Sequence, residues 1–287
     1  MSEDKIREFH KSFHTAFINK NCNSNLAYKP QFVYNDNKEG KKVFTSIEDE
    51  LLRCESFSIS VAFITRGGIT PLLQTLKELE TKGIKGRILT TDYLYFSDPV
   101  ALDTLANLSN IELRMYQTEY AKNGFHTKGY IFQKKEEYHF IIGSSNLTMD
   151  ALTRNMEWNT RIVSMPHGEM INDVLSEFNK LWNATDITRP YEDIREDYQR
   201  KYAEKQLFNK IVAEQREIAR KQTVPSIEAY KLQPNSMQNA FIYNLLEYQK
   251  TKHFKSIAYF RNRNRKDLCC SIRYATTGIQ KSTFCCA

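Results

Sequence analysis

The chain has 287 residues, 41% of them hydrophobic and 12% aromatic, enough for one large domain or two modest ones with a real core. No apolar run approaches the roughly 20 residues that a membrane helix needs, and the opening MSEDKIREFHKSFH has no apolar h-region, so a membrane span and a secretory signal are set aside and a cytoplasmic protein is expected. The net charge of +7 invites a nucleic-acid partner, but six basic residues against one acid after residue 256 supply +5 of it and leave +2 elsewhere.

Cysteine is just as uneven. Cys22 and Cys54 stand alone, while Cys269, Cys270, Cys285 and Cys286 crowd the end. Adjacent Cys-Cys pairs lack the C-x-x-C spacing of a zinc site, and a cytoplasmic chain should hold no disulfides.

Residues 1–20 read as an amphipathic helix, with Ile6, Phe9, Phe13, Phe17 and Ile18 at helical spacing. His10 and His14 lie four apart but have no third ligand nearby, so they read as surface histidines and no metal is expected. Polar turns at 21–25 and 35–42 close a first piece, 1–42. A helix capped by Thr45 or Ser46 then runs to about Cys54, followed by a strand over 57–64 that is apolar enough to be central. Arg66-Gly67-Gly68 reads as a plain turn in preference to a phosphate cradle. A helix over 69–81 points Leu72, Leu73, Leu76 and Leu79 inward, and Gly83 and Gly86 bracket a strand over 85–91. Asp98-Pro99 opens another helix, Asp as cap and Pro in the first turn, before a strand at 111–115. Strand-helix units in succession imply an α/β layer with parallel strands.

The stretch 125–158, FHTKGYIFQKKEEYHFIIGSSNLTMDALTRNMEW, carries the chemistry. Strands at 125–132 and 138–142 form a hairpin around Lys134-Lys135-Glu136-Glu137. Another strand at 158–163 and a closing helix at 168–182 follow. Side chains two apart on a strand share a face, so His126 and Lys128 point together. An imidazole beside an ammonium makes sense there if an anion binds. The second strand delivers Ser144, Ser145 and Asn146, and Glu157 precedes the third. His139 reads as structural, because its neighbours alternate apolar.

His126-Thr127-Lys128, Gly143-Ser144-Ser145-Asn146 and Glu157, in that order, resemble the signature of the phospholipase D-like superfamily of phosphodiesterases, in its nuclease-like branch. The Asp expected five residues after the Lys is Gln133, a departure that similar nuclease-like members share. The resemblance implies a fold of the α/β class: a phospholipase D-like mixed β-sheet flanked by helices on both faces, spanning 43–182 and followed by a helical C-terminal extension. It implies a metal-independent phosphodiesterase with no cofactor, acting through a phosphohistidine on His126. Lys128, Asn146 and Ser145 would grip the phosphate, Ser144 would bond to the phosphate or to Glu157, and Glu157 would hold the far ring nitrogen of His126. One motif supplies one histidine where the mechanism needs two, so a homodimer is implied, joined through the edge that carries His126. DNA is the expected substrate, cut by an endonuclease of restriction or phage-defence type. The alternatives are a catalytically silent module that binds DNA ends and a phosphodiesterase acting on phospholipid.

Residues 183–231 are charged in mixed sign and read as a helical linker. The segment 232–256 opens Leu232-Gln233-Pro234-Asn235-Ser236-Met237-Gln238 and resembles the lead-in to a superfamily 2 helicase motor, without a P-loop in this frame. The tail 257–287 has neither helical nor strand period. One permitted choice of its codons, read one nucleotide later, gives a Walker A loop, GTGKT, followed by an amphipathic helix and an apolar strand. We therefore expect 257–287 to be a frameshifted, disordered tail on a helicase-linked protein, with no ATP bound by this chain. The coding DNA decides it: the next frame must contain GTGKT and continue as a helicase, and a frame that lacks either refutes the expectation.

Overall fold

The structure is a computed structural model that describes residues 3–223, with side chains to residue 217, and single helical pieces at 239–240, 243–244 and 247. The chain divides into two compact units, Met1–Ala219 and Arg220–Ala287. The helicase-like lead-in at 232–238 and the tail 257–287 lie outside the described residues.

In chain order the elements are α1 (Glu3–Phe17), β1 (Gln31–Val33), α2 (Val43–Leu51), β2 (Ser56–Val61), α3 (Arg66–Ile69), α4 (Leu73–Thr81), β3 (Lys85–Thr91), α5 (Pro99–Ala106) and β4 (Ile111–Tyr116). They continue with β5 (Lys128–Gln133), β6 (Tyr138–Gly143), α6 (Met149–Thr153), β7 (Asn159–Ser164), α7 (Glu169–Trp182), β8 (Thr188–Pro190) and α8 (Tyr191–Thr223). Among the described residues the strands form one sheet in the order β1-β7-β6-β5-β2-β3-β4-β8. Strands β2, β3 and β4 run parallel, and every other pairing is antiparallel. The sheet is mixed, as expected, with β5 and β2 at its centre.

Strand alternation divides the core into two layers. Phe57, Ile59, Val61, Tyr130 and Phe132 point to one face, where α2, α4, α5 and the start of α8 cover them. Ile131, Phe140, Leu89 and Tyr116 point to the other, against Ile171, Phe178 and Trp182 of α7. Helices on both faces explain why the central strands are apolar at nearly every position.

Several local expectations are corrected. The helix after residue 42 starts at Val43 with no side-chain cap on Lys42. Asn35 caps it from a distance instead, its Oδ1 accepting from Val43 N at 2.9 Å. The helix over 69–81 is broken by a 3-10 turn at Thr70–Leu72, where Pro71 lacks the N–H a continuous helix would use. Residues 183–223 are not one connecting helix: β8 pairs with β4, and Tyr191, Ile194 and Tyr198 of α8 enter the core. The strand expected from residue 125 begins at Lys128.

One buried ionic cluster ties α2 to the sheet. Glu50 accepts from Arg161 Nε at 2.6 Å and pairs with Lys134 Nζ at 2.8 Å and His139 Nδ1 at 2.9 Å. His139 Nε2 reaches Glu137 at 3.1 Å, and Glu137 meets Lys5 of α1 at 3.0 Å. His139 is 2% exposed and acts as a post inside this cluster. Burial alone would raise the Glu50 carboxyl, but the hydrogen bond and charge of His139, with Arg161 and Lys134, outweigh it and hold it far below the carboxylate range. Glu137 is lowered to about 2, mainly by its hydrogen bond to His139. Both shifts are downward, so their stabilisation is complete above the ordinary carboxylate pKa and is lost as pH falls toward 2. Glu50→Gln should therefore flatten the acid limb of stability and cost roughly 3–5 kcal/mol at pH 7, because Arg161 loses a buried partner. Urea midpoints measured from pH 7 to pH 3 check this; matching profiles for the two proteins would contradict it.

Candidate active site

The carboxyl ends of β2 and β6 and the amino ends of β5 and β7 meet at one end of the sheet. Parallel β3 and β4 also finish there, which is where open α/β sheets present ligand sites. Lys128 opens β5 opposite Val61, and Ser144 follows Gly143 at the end of β6. Gly143 is required by close approach: a Cβ there would lie 2.2 Å from the Trp158 carbonyl oxygen. Gly68 is the same kind of position, with a Cβ 2.0 Å from the Leu147 carbonyl oxygen. Arg66-Gly67-Gly68, expected as a plain turn, opens α3 with Thr65 as its cap and packs on the 144–148 loop, which is also bound by Leu147 N to Phe63 O at 3.1 Å and Thr65 N to Leu147 O at 3.0 Å.

His126 stands exposed in extended chain just before β5, and Lys128 is buried to 8% beneath it. The two side chains meet as the two-residue spacing required. Lys128 Nζ lies 2.7 Å from His126 Nδ1 and 3.0 Å from Nε2, and it donates to the His126 carbonyl at 3.0 Å. Thr127, on the opposite side, is tied to Ser60 with 2.5 Å between hydroxyl oxygens. Burial pushes the Lys128 ammonium below its usual pKa, and the charge of Glu157 works the other way. A partly desolvated cation held near a carboxylate is a strong but unneutralised donor.

Glu157 is 9% exposed and takes a short hydrogen bond from Ser144 Oγ. Ser144 Oγ in turn accepts from Trp158 N at 3.1 Å. Among the described residues no hydrogen bond joins Glu157 to His126, and the carboxylate takes its bond from Ser144, one of the two roles expected of that serine. Asn146 is half-buried and uses its Oδ1 to accept from Phe63 N at 3.2 Å, which turns its carboxamide oxygen away and keeps its N–H donors for a ligand. Ser145 is fully buried. Its Oγ accepts from Asn159 Nδ2 at 2.9 Å and its N–H reaches Asn159 Oδ1 at 3.3 Å, so it braces the loop and does not face substrate. Asn159 also reaches Val33 O at 3.2 Å. No motif marks this asparagine; its signal is its place at an inward position of β7, in line with Arg161 and Val163.

Gln133 sits at the opposite end of β5, five residues along and therefore about 16 Å from Lys128. It accepts from Ser56 Oγ at 3.0 Å. A carboxylate in its place would not reach His126, which is why its replacement leaves the site's own groups intact. Phe63 packs edge-on to His126 with centroids 6.4 Å apart, and Phe96 edge-on to Phe63 at 5.0 Å, an aromatic wall that no motif in the sequence marks. Among the described residues no group of three or more His, Cys, Asp or Glu could hold a metal ion, and no helix is long and apolar enough to cross a membrane.

Residues 53–182 match the family described as "Cardiolipin synthase, PLD-like domain". This segment is similar to phospholipase D-like domains. Its chain path is similar to Nuc from Salmonella typhimurium, a phospholipase D family member, at 18% identity over 57% of this chain and 99% of that one, with a TM-score of 0.44. NucT from Helicobacter pylori is similar at 18% identity over 54% and 96%, TM-score 0.41. Phosphatidylserine synthase of Haemophilus influenzae is similar at 16% identity over 65% and 46%, TM-score 0.43. No curated protein matches the sequence at a significant level. Within the matched segment, His126, Lys128, Ser144, Asn146 and Glu157 lie at one end of the sheet, and Ser145 supports them from below.

Proposed function

We propose that the phospholipase D-like domain is a metal-independent phosphodiesterase that cleaves DNA with His126 as nucleophile. The observation that carries this reading is the contact between exposed His126 and buried Lys128, with the Asn146 amide donors at the same end of the sheet. A phosphoryl oxygen is a stronger acceptor than an imidazole nitrogen, so a bound phosphodiester draws the Lys128 donors to itself and frees the His126 lone pair. Asn146 adds a second donor to the non-bridging oxygens.

In the first step a His126 ring nitrogen forms a bond to phosphorus, the P–O bond to the leaving nucleoside breaks, and a second histidine protonates the departing oxygen. In the second step that histidine takes a proton from water, hydroxide attacks phosphorus, and the N–P bond breaks to regenerate His126. Among the described residues no second histidine touches His126. His139 lies four residues from Gly143 along β6, about 13 Å away, and is held by Glu50 and Glu137. The second histidine would therefore be His126 of another copy. Because β5 is central, two copies would meet across the strand ends, not along a sheet edge carrying His126. The 232–238 segment supports a wider role as the nuclease module of a helicase-linked restriction or phage-defence protein.

The test is incubation of the full chain with duplex and single-stranded DNA in EDTA. Cleavage should persist, and His126→Ala should abolish it with an unchanged melting curve. Mixing His126→Ala with wild type should depress activity below the average of the two. Binding without cleavage would mean a silent DNA-binding module, and an active His126→Ala protein would remove the nucleophile assignment.

A further inference from the structure

Resting on the nucleic-acid reading of the site, we infer that Trp158, Phe32 and Tyr34 form a stacking platform for an unpaired nucleobase beside the scissile phosphate, so that the site takes single-stranded nucleic acid. The chain has two tryptophans, and it treats them oppositely: Trp182 is 4% exposed in the core, while Trp158 is 74% exposed. Phe32, on β1, is 55% exposed beside it. Aromatic area of that size left in water next to a site is the kind of surface a ligand covers.

The platform is fixed, not loose. The Trp158 backbone is held on both sides, its amide N–H donating to Ser144 Oγ at 3.1 Å and its carbonyl accepting from Ser144 N at 3.2 Å. Phe32 packs edge-on to Trp158 with centroids 5.8 Å apart at 75°, and Tyr34 packs on Phe32 at 5.3 Å. Lys41 Nζ lies 5.2 Å from the centre of the Tyr34 ring, a cation at the outer end of the row. Phosphate-gripping groups at one end, flat rings along the surface and a cation beyond match the repeat of a nucleic-acid strand: phosphate, base, phosphate.

The platform is also continuous with the site. Ser144 bonds at once to Glu157 and to the Trp158 backbone, so the ring begins one residue from the carboxylate that faces Lys128. A base stacked there would lie at the same end of the sheet as His126 and Lys128. It could not remain paired in a duplex, because the ring would occupy the place of its neighbour in the stack. Exposed aromatic rings suit bases, because every base offers a flat face to stack.

The experiment uses the full chain as His126→Ala in EDTA, so that nothing is cut. A ten-residue oligothymidine and an abasic oligomer of equal length and charge are titrated while tryptophan emission and oligomer anisotropy are read. Oligothymidine should bind about ten-fold tighter than the abasic oligomer, in line with the known worth of one stacked base, and should quench the exposed tryptophan. Trp158→Ala should erase that difference, and Trp158→Phe should keep most of it. Equal affinity for the two oligomers overturns the platform and leaves the phosphodiester site standing; no binding of either overturns both. A difference that survives Trp158→Ala, quenching by phosphatidylglycerol vesicles but not by oligothymidine, or self-association that buries Trp158 before ligand is added each overturn it as well.

Discussion

A buried ammonium at the head of a central strand is the constraint on which the rest of the site depends. Lys128 is 8% exposed, and burial alone disfavours its charge. Three features compensate. Glu157 supplies an opposite charge, the His126 ring and carbonyl accept its protons, and its position beside the end of β2 leaves one side open to an anion. Glu157 is itself held by Ser144, and Ser144 by the Trp158 backbone, so the charge that sustains Lys128 depends on how β6 and β7 are joined. The Gly143 approach to Trp158 then follows as a packing requirement of that joint.

The same logic accounts for the bracing below the site. Ser145 and Asn159 satisfy each other's buried polar groups, and Asn146 and Leu147 bind the backbone of Phe63. The four residues of the Gly-Ser-Ser-Asn run therefore act differently: Gly143 permits close approach, Ser144 holds a carboxylate, Ser145 braces the loop and Asn146 keeps donors for a ligand. A buried polar network of this kind rigidifies a loop when all its members are paired. Farther along the strands the cluster of Glu50, His139, Arg161 and Lys134 fixes α2 against β6 and β7.

Much of this was legible in the sequence, for physical reasons that differ from element to element. Short apolar runs rich in β-branched and aromatic residues revealed the central strands, and Asp98-Pro99 marked its helix by the bond from Val100 N to Asp98 Oδ1. The two-residue spacing of His126 and Lys128 sufficed to bring them together, even though His126 sits just outside β5. What could not be read depended on contacts distant in sequence. Asn35 capping α2 and Asn159 bracing Ser145 are side chains whose partners lie elsewhere along the chain. Tyr191, Ile194 and Tyr198 do have helical spacing, but the charged residues between them masked the stripe that carries α8 into the core.

The central claim is that His126 becomes covalently bound to phosphorus, and the most direct measurement is to trap that bond. The full chain would be mixed in EDTA with DNA carrying labelled phosphate at internal linkages, and quenched in alkali, where a phosphohistidine survives. The labelled protein would then be digested and mapped. The account predicts label on the peptide containing His126 in wild type and none in His126→Ala. DNA cleavage with no label on protein, or label on a peptide without His126, would contradict it.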